Sequence, residues 1–229
     1  MKKLLFTLLF LTFGTAWGGA FEDGFAAAER KDYATAFKLW RPLAEQGDAV
    51  AQSNLGWMYD QGQGVTQDYK EALKWSRLAA EQGNAIAQSN LGIMYEGGQG
   101  VLQDYKEAVK WYRLAAEQGN AGAQFNLALM YDKGQGVLQD YKEAVKWYRL
   151  AAEQGLADAQ HNLGLMYAKG QGVLQDYARA HMWFNLASSA GSAIATKNRD
   201  IIAKKMTSQQ IEKAQEMAKA CQARNFKGC

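Results

Sequence analysis

Apolar and polar positions along this chain repeat with the rhythm of helices rather than the alternation of strands. Between Ala49 and Asp60, Leu55, Met58 and Tyr59 share one face. After Asp68, Ala72, Trp75, Leu78 and Ala79 fall on one face while Lys70, Lys74 and Arg77 fall toward another, so the first set packs and the second is solvated. Asp48 is placed to cap the first helix, which Gly62-Gln63-Gly64 ends. Asp68, with Glu71 three residues later, opens the second in the pattern of a capping box with Asp in place of Ser or Thr, and Gly83 stops it. One or two residues then precede the next helix, and connections that short force antiparallel neighbours. Gly56 sits inside the first helix, where glycine costs about 1 kcal/mol relative to alanine; close approach of the paired backbones is the expected compensation.

This unit recurs. Gly47, Gly83, Gly119, Gly155 and Gly191 are spaced by 36, as are the Asp-Tyr pairs at 32, 68, 104, 140 and 176, and residues 98–119 recur unchanged as 134–155. A fixed period of this size marks a stacked repeat. The constant Trp75, Trp111, Trp147 and Trp183 are assigned to the core, because they return at a core-facing helical position in every copy.

The ends differ from the middle. Lys2 and Lys3, the apolar run Leu4 to Phe13 and the small residues Gly18-Gly19-Ala20 have the layout of a cleaved export signal over residues 1–20. Residues 21–47 keep the Asp-Tyr and Glu-Gln-Gly landmarks but lack Gly-Gln-Gly. They read as a truncated capping repeat whose second helix Pro42 should kink or restart. Four full repeats occupy 48–191. A divergent helix pair, Ala193 to Lys205 and Ser208 to Arg224, closes the chain within 192–229, with Thr207 or Ser208 as the cap of its second member.

Charge narrows the class. Without Lys2 and Lys3 the basic count falls from 26 to 24 against 23 acidic residues, a net +1 with no footprint for nucleic acid or anionic lipid. Past the apolar run no stretch approaches the roughly 20 apolar residues of a membrane span. The only cysteines, Cys221 and Cys229, lie together near the C-terminus; in an exported chain a local disulfide between them is expected.

The string Ala-x-Ala-Gln-x-Asn-Leu-Gly-x-Met-Tyr, then Gly-x-Gly-Val-x-Gln-Asp-Tyr, then Ala-x-x-Trp-x-x-x-Ala-Ala-Glu-Gln-Gly closely resembles the SEL-one-like subfamily of tetratricopeptide-type repeats. Four full copies run from Ala49 to Gly191. The resemblance implies an all-α, right-handed superhelical α/α solenoid of antiparallel helix pairs, with the first helix of each pair lining the concave side. It also implies adaptor or regulatory roles and carries over no catalytic residue. Some exported relatives bear a cysteine pair in each repeat and have been linked to β-lactams; this chain lacks those cysteines.

In a solenoid, positions that vary between copies are free to serve a ligand. On the first helices these are Val50, Ser53, Trp57 and Gln61; Ile86, Ser89, Ile93 and Gly97; Gly122, Phe125, Leu129 and Lys133; Asp158, His161, Leu165 and Lys169. At 100° per residue their offsets fall within about 80° and form one stripe per helix. With Asn54, Asn90, Asn126 and Asn162 added, the candidate groove comprises Val50, Ser53, Trp57, Ser89, Ile93, Phe125, Leu129, Lys133, His161, Leu165 and Lys169 beside that asparagine set. Two readings stay open at several of these positions. Trp57, Ile93, Leu129 and Leu165 either meet a ligand or pack between helices, and the asparagines either bind a peptide backbone or tie helices together.

Catalytic chemistry has little foothold. His161 lies on the stripe, and His181 replaces Leu73, Val109 and Val145 of other copies as a packing substitution. No zinc-ligand set, nucleophile elbow or phosphate-binding loop is visible, so no metal, cofactor or enzymatic activity is expected. The expected function is an exported, periplasmic or secreted interaction module holding a protein or peptide segment in a concave groove. The alternatives are an envelope enzyme acting on cell-wall or β-lactam material and a polysaccharide-export scaffold that binds envelope glycan.

Overall fold

A computed structural model describes residues 19–229, so the expected export signal lies almost wholly outside the described residues. Twelve helices and no strand occur among them. In order they are α1 (residues 19–29), α2 (Tyr33–Glu45), α3 (Ala49–Gln61), α4 (Tyr69–Glu81), α5 (Ala85–Gly97), α6 (Tyr105–Glu117), α7 (Ala121–Lys133), α8 (Tyr141–Ala152), α9 (Ala157–Lys169), α10 (Tyr177–Ser189), α11 (Ala193–Ala203) and α12 (Ser208–Ala223). The protein is an all-α solenoid of consecutive helix pairs with a repeat of about 36 residues. The described residues divide into two compact units, those up to residue 104 and residues 105–229.

In the first unit α2 packs on α3, α3 on α4, and α4 on α5. Asp48 accepts from the backbone N–H of Val50 at 3.0 Å and of Ala51 at 2.7 Å, the capping the sequence predicts. Gly62 ends α3 with φ +65°, a left-handed value that favours glycine. The second glycine of each Gly-Gln-Gly turn has a different role. A side chain on Gly100 would overlap the Tyr69 carbonyl at the start of the preceding α4, so here glycine permits one repeat to stack on the last. Gly56 faces the backbone of α4 at Ser76 N and Ala72 O, the close approach expected of a glycine inside a helix.

Two local expectations change. The Asp-x-x-Glu pattern makes only half a capping box: Asp68 accepts from Lys70 and Glu71 N–H, but Glu71 does not reach back. The Asp68 N–H is already donated to the Tyr59 carbonyl at 3.0 Å. That frees the Glu71 carboxylate to accept from the Trp75 indole at 3.1 Å and to pair with Lys74. In the second unit Asp140, Glu143 and Trp147 repeat this arrangement. Neither does Pro42 restart its helix, for α2 runs through it to Glu45. Pro42 lies on an exposed face near the end of α2, where water can serve the carbonyl that its missing N–H leaves open.

In the second unit α6 packs on α7, α7 on α8, α8 on α9, and α9 on α10, while α11 and α12 both pack on α10. Thr207 caps α12 through a complete box with Gln210. Cys221 and Cys229 stand at bonding distance, Cα atoms 5.6 Å apart. The core of both units is built from the constant alanines, leucines and methionines of the repeat; Leu55, Leu91, Leu127 and Leu163 are fully buried. Trp75, Trp147 and Trp183 are buried as expected, and Trp111 is half-buried.

Candidate functional site

The first helix of each pair packs against second helices by its constant face, which leaves the variable stripe turned outward at three of its four positions. In the first unit Val50, Trp57, Ile86 and Ile93 expose between 40% and 61% of their surface, a high value for large apolar residues in a helix otherwise built for burial. The remaining position is turned inward: Ser53 and Ser89 are buried. Its offset of three residues places it about 60° from the stripe's first member, toward the second helix of the pair.

Trp57 and Ile93 stand on the walls of a cleft of about 330 Å³ between α3 and α5, with Ser76 and Gly56 on its floor and Asp60, Asn90, Gln61 and Gln99 among its polar groups. The Trp57 ring lies 5.9 Å from that of Tyr33, which steadies the indole from the α2 side. The Asp60 carboxylate accepts from the Gln61 amide, and the Asp60 carbonyl from Gln67 at 2.6 Å.

In the second unit Phe125, Leu129 and Leu165 are half-buried, and Lys133 and Lys169 are exposed. Phe125 leans on Tyr148 with ring centroids 5.9 Å apart. The Tyr148 hydroxyl accepts from the Asn162 amide at 3.2 Å and donates to Asp132 at 3.5 Å. Burial, with the charge of Asp132 second, holds that phenol well above its ordinary pKa, so it remains a neutral donor. Asn162 therefore ties α9 to α8. Asn126 is half-buried, as is Asn54, whose side-chain amide nitrogen has no hydrogen-bond partner among the described residues.

His161 does not face an open groove. It is buried, its Nδ1 lies 3.2 Å from Asn162 Oδ1, and its Nε2 lies 2.8 Å from Asn198 Nδ2 on α11. His161 thus joins α9 to the last helix pair. His181 is also buried; burial foremost, then the charge of Arg199, lowers its pKa against the opposing pull of Asp200.

Asp60, Ser76 and Gln99 lie outside the predicted stripe yet line the cleft. Ser76 carried a signal: its column on the second helices otherwise reads Trp40, Tyr112, Tyr148 and Phe184, so a small residue there leaves space. Among the described residues no helix is long and apolar enough to cross a membrane, and no group of three or more His, Cys, Asp or Glu is placed to hold a metal ion.

Comparison with known proteins places this architecture. A Sel1 repeat model matches residues 16–48, 49–84, 85–120, 121–156 and 157–192. A solved Sel1 repeat protein from Oxalobacter formigenes is 39% identical with a TM-score of 0.71, over 76% of this chain and 72% of that one. A protective antigen of uropathogenic Escherichia coli with an SLR fold is 33% identical with a TM-score of 0.56, over 85% of this chain and 50% of that one. The Pseudomonas aeruginosa immunity protein Pa5087 shares the fold at 18% identity, with a TM-score of 0.53 over 92% of this chain and 84% of that one. No curated protein matches the sequence. Five tandem matches over most of the chain, on helix pairs that close the same 36-residue period, show that the protein belongs to the Sel1 repeat family.

Proposed function

We propose that this protein is an exported, non-catalytic interaction module that holds a protein or peptide segment against the outward faces of its first helices. Sel1 repeats are typically protein-interaction modules, and solved relatives above 30% identity are repeat proteins of the same kind. The observation that carries the reading is the pair Trp57 and Ile93, 40% and 44% exposed across the α3–α5 cleft. Large aromatic and aliphatic side chains at a polar-rimmed cleft are the usual anchors of an interface. Candidate contacts in the first unit include Asn90; in the second unit, taken by itself, they are Leu129, Lys133, Leu165 and Lys169. Within this reading residues 21–47 and 192–229 cap the stack. The N-terminal pattern supports export to the periplasm or beyond, and a cysteine pair at bonding distance is compatible with it.

A photo-crosslinking residue at position 93 tests this in cells. It should capture a defined protein that the same residue at Leu138, exposed but off the first helices, does not. Trp57→Ala should reduce capture with little change in melting temperature, whereas Phe125→Ala, which loses its contact with Tyr148, should lower both. Equal capture at positions 93 and 138, or variants that alter stability alone, would show that the stripe only packs.

A further inference from the structure

The α3–α5 cleft lies where Ser76 interrupts an otherwise aromatic column of the repeat. Residues 72 apart occupy the same register two repeats on, so Ser76 corresponds to Tyr148, Asp60 to Asp132, Asn90 to Asn162 and Ser53 to Phe125. In the second unit Tyr148 fills its layer: its ring meets Phe125 and its hydroxyl engages Asp132 and Asn162. The next layer shows what happens without a hydroxyl. There Phe184 takes the Tyr148 register and Ala168 the Asp132 register, so where the ring is apolar the carboxylate is absent.

The first unit keeps the carboxylate and amide but lacks the ring. Ser53 and Ser76 stand where the two rings would be, and Trp57 in the register of Leu129 returns only part of that volume, since about 330 Å³ stays open to solvent. The apolar walls are Trp57 and Ile93, and of the polar groups, which include Gln61, Ser76 and Gln99, Asp60 and Asn90 are those in the registers of Asp132 and Asn162. A carboxylate has more acceptor sites than the one Gln61 amide uses.

We propose that this cleft receives one aromatic side chain, tyrosine foremost, from a partner polypeptide. The ring takes the volume that Tyr148 fills in its own layer, and Asp60 and Asn90 take the polar atoms of the inserted residue. The site rests on the interaction-module reading and assigns it a specific anchor. An aromatic ring brings 150–250 Å² of surface to such a contact, and an anionic carboxylate beside it selects N–H and O–H donors.

The probe is N-acetyl-tyrosinamide, titrated into the full protein while the Trp57 indole N–H and Ile93 methyl resonances are followed by NMR. Saturable shifts at both are expected, with N-acetyl-leucinamide binding about fivefold more weakly. Ser76→Tyr supplies the ring from within and should weaken probe binding by about tenfold or more, a difference measurable as a shifted saturation point, while the circular dichroism spectrum stays unchanged. Ile93→Lys, altered on an exposed wall, is a second variant expected to lose the probe without loss of fold. Absence of saturable shifts at Trp57 and Ile93, or undiminished binding in Ser76→Tyr, overturns the proposal. Probe binding without crosslinked partners at position 93 would sink the wider reading alone; partner capture without probe binding would sink only the aromatic anchor.

Discussion

The side-chain amide of Gln124 donates to the Ala116 carbonyl at 3.1 Å across the α6–α7 turn, and its oxygen accepts from Gln154 at 2.8 Å. One buried glutamine thus links α6, α7 and the end of α8. The same amide-to-carbonyl bond recurs at Gln52, Gln88 and Gln160, which accounts for the constant Ala-x-Ala-Gln string: the Ala116 carbonyl also accepts from the Gly119 N–H at 3.0 Å, and the glutamine fills its second acceptor site while tying the first helix of one pair to the end of the preceding helix. Gln124→Ala should cost about 1 kcal/mol in a denaturant melt, because the Ala116 carbonyl keeps its backbone donor. Gln154→Ala, at an exposed position, should cost less.

The chain breaks this ladder once. The Gln160 side-chain oxygen is buried without a partner, and residue 190, in the register of Gln82 and Gln154, is alanine. Ala190→Gln should therefore stabilise the protein by about 1 kcal/mol. A melting temperature at or below that of the parent would show that the register does not carry over to the last repeat.

Gly136 stacks on the start of α6, where any side chain would overlap the Tyr105 carbonyl, and its φ is +70°. Gly136→Ala should be among the more damaging single-methyl changes, at about 1–3 kcal/mol for the left-handed backbone alone. Gly191→Ala, also at positive φ but with open space around it, should cost less; equal losses would refute a stacking role.

His181 gives the fold a pH dependence. Its folded pKa lies below the ordinary histidine value of 6.5 because burial and Arg199 oppose the charged form, with Asp200 pulling the other way. Above pH 6.5 the ring is neutral in both states and its contribution to stability is whole. As pH falls from 6.5 toward the folded value, the unfolded chain takes up a proton that the native one resists, and stability is lost. Melting temperature should fall across that window, and His181→Leu, the residue at position 73 of the first full repeat, should remove most of the fall.

The period, the caps at Asp48 and Asp68, the turn glycines and most of the helix faces were legible from the sequence alone, because each follows from local propensity or from recurrence every 36 residues; Leu78, assigned to the packed face with Ala72, Trp75 and Ala79, is instead 39% exposed, at the edge of that face. The same recurrence assigned the tryptophans to the core and marked Trp57 and Ile93 as variable positions, either ligand-facing or packed between helices; the structure shows them exposed. Long-range geometry decided the rest. Whether Ser53 and His161 point outward or inward depends on the angle at which neighbouring helices pack, and Glu71 turns to Trp75 only because the Tyr59 carbonyl has already taken the Asp68 N–H. The cleft above Ser76 is a difference between layers: a serine is unremarkable in one helix, and it matters only because the same register two repeats on is filled by the Tyr148 ring.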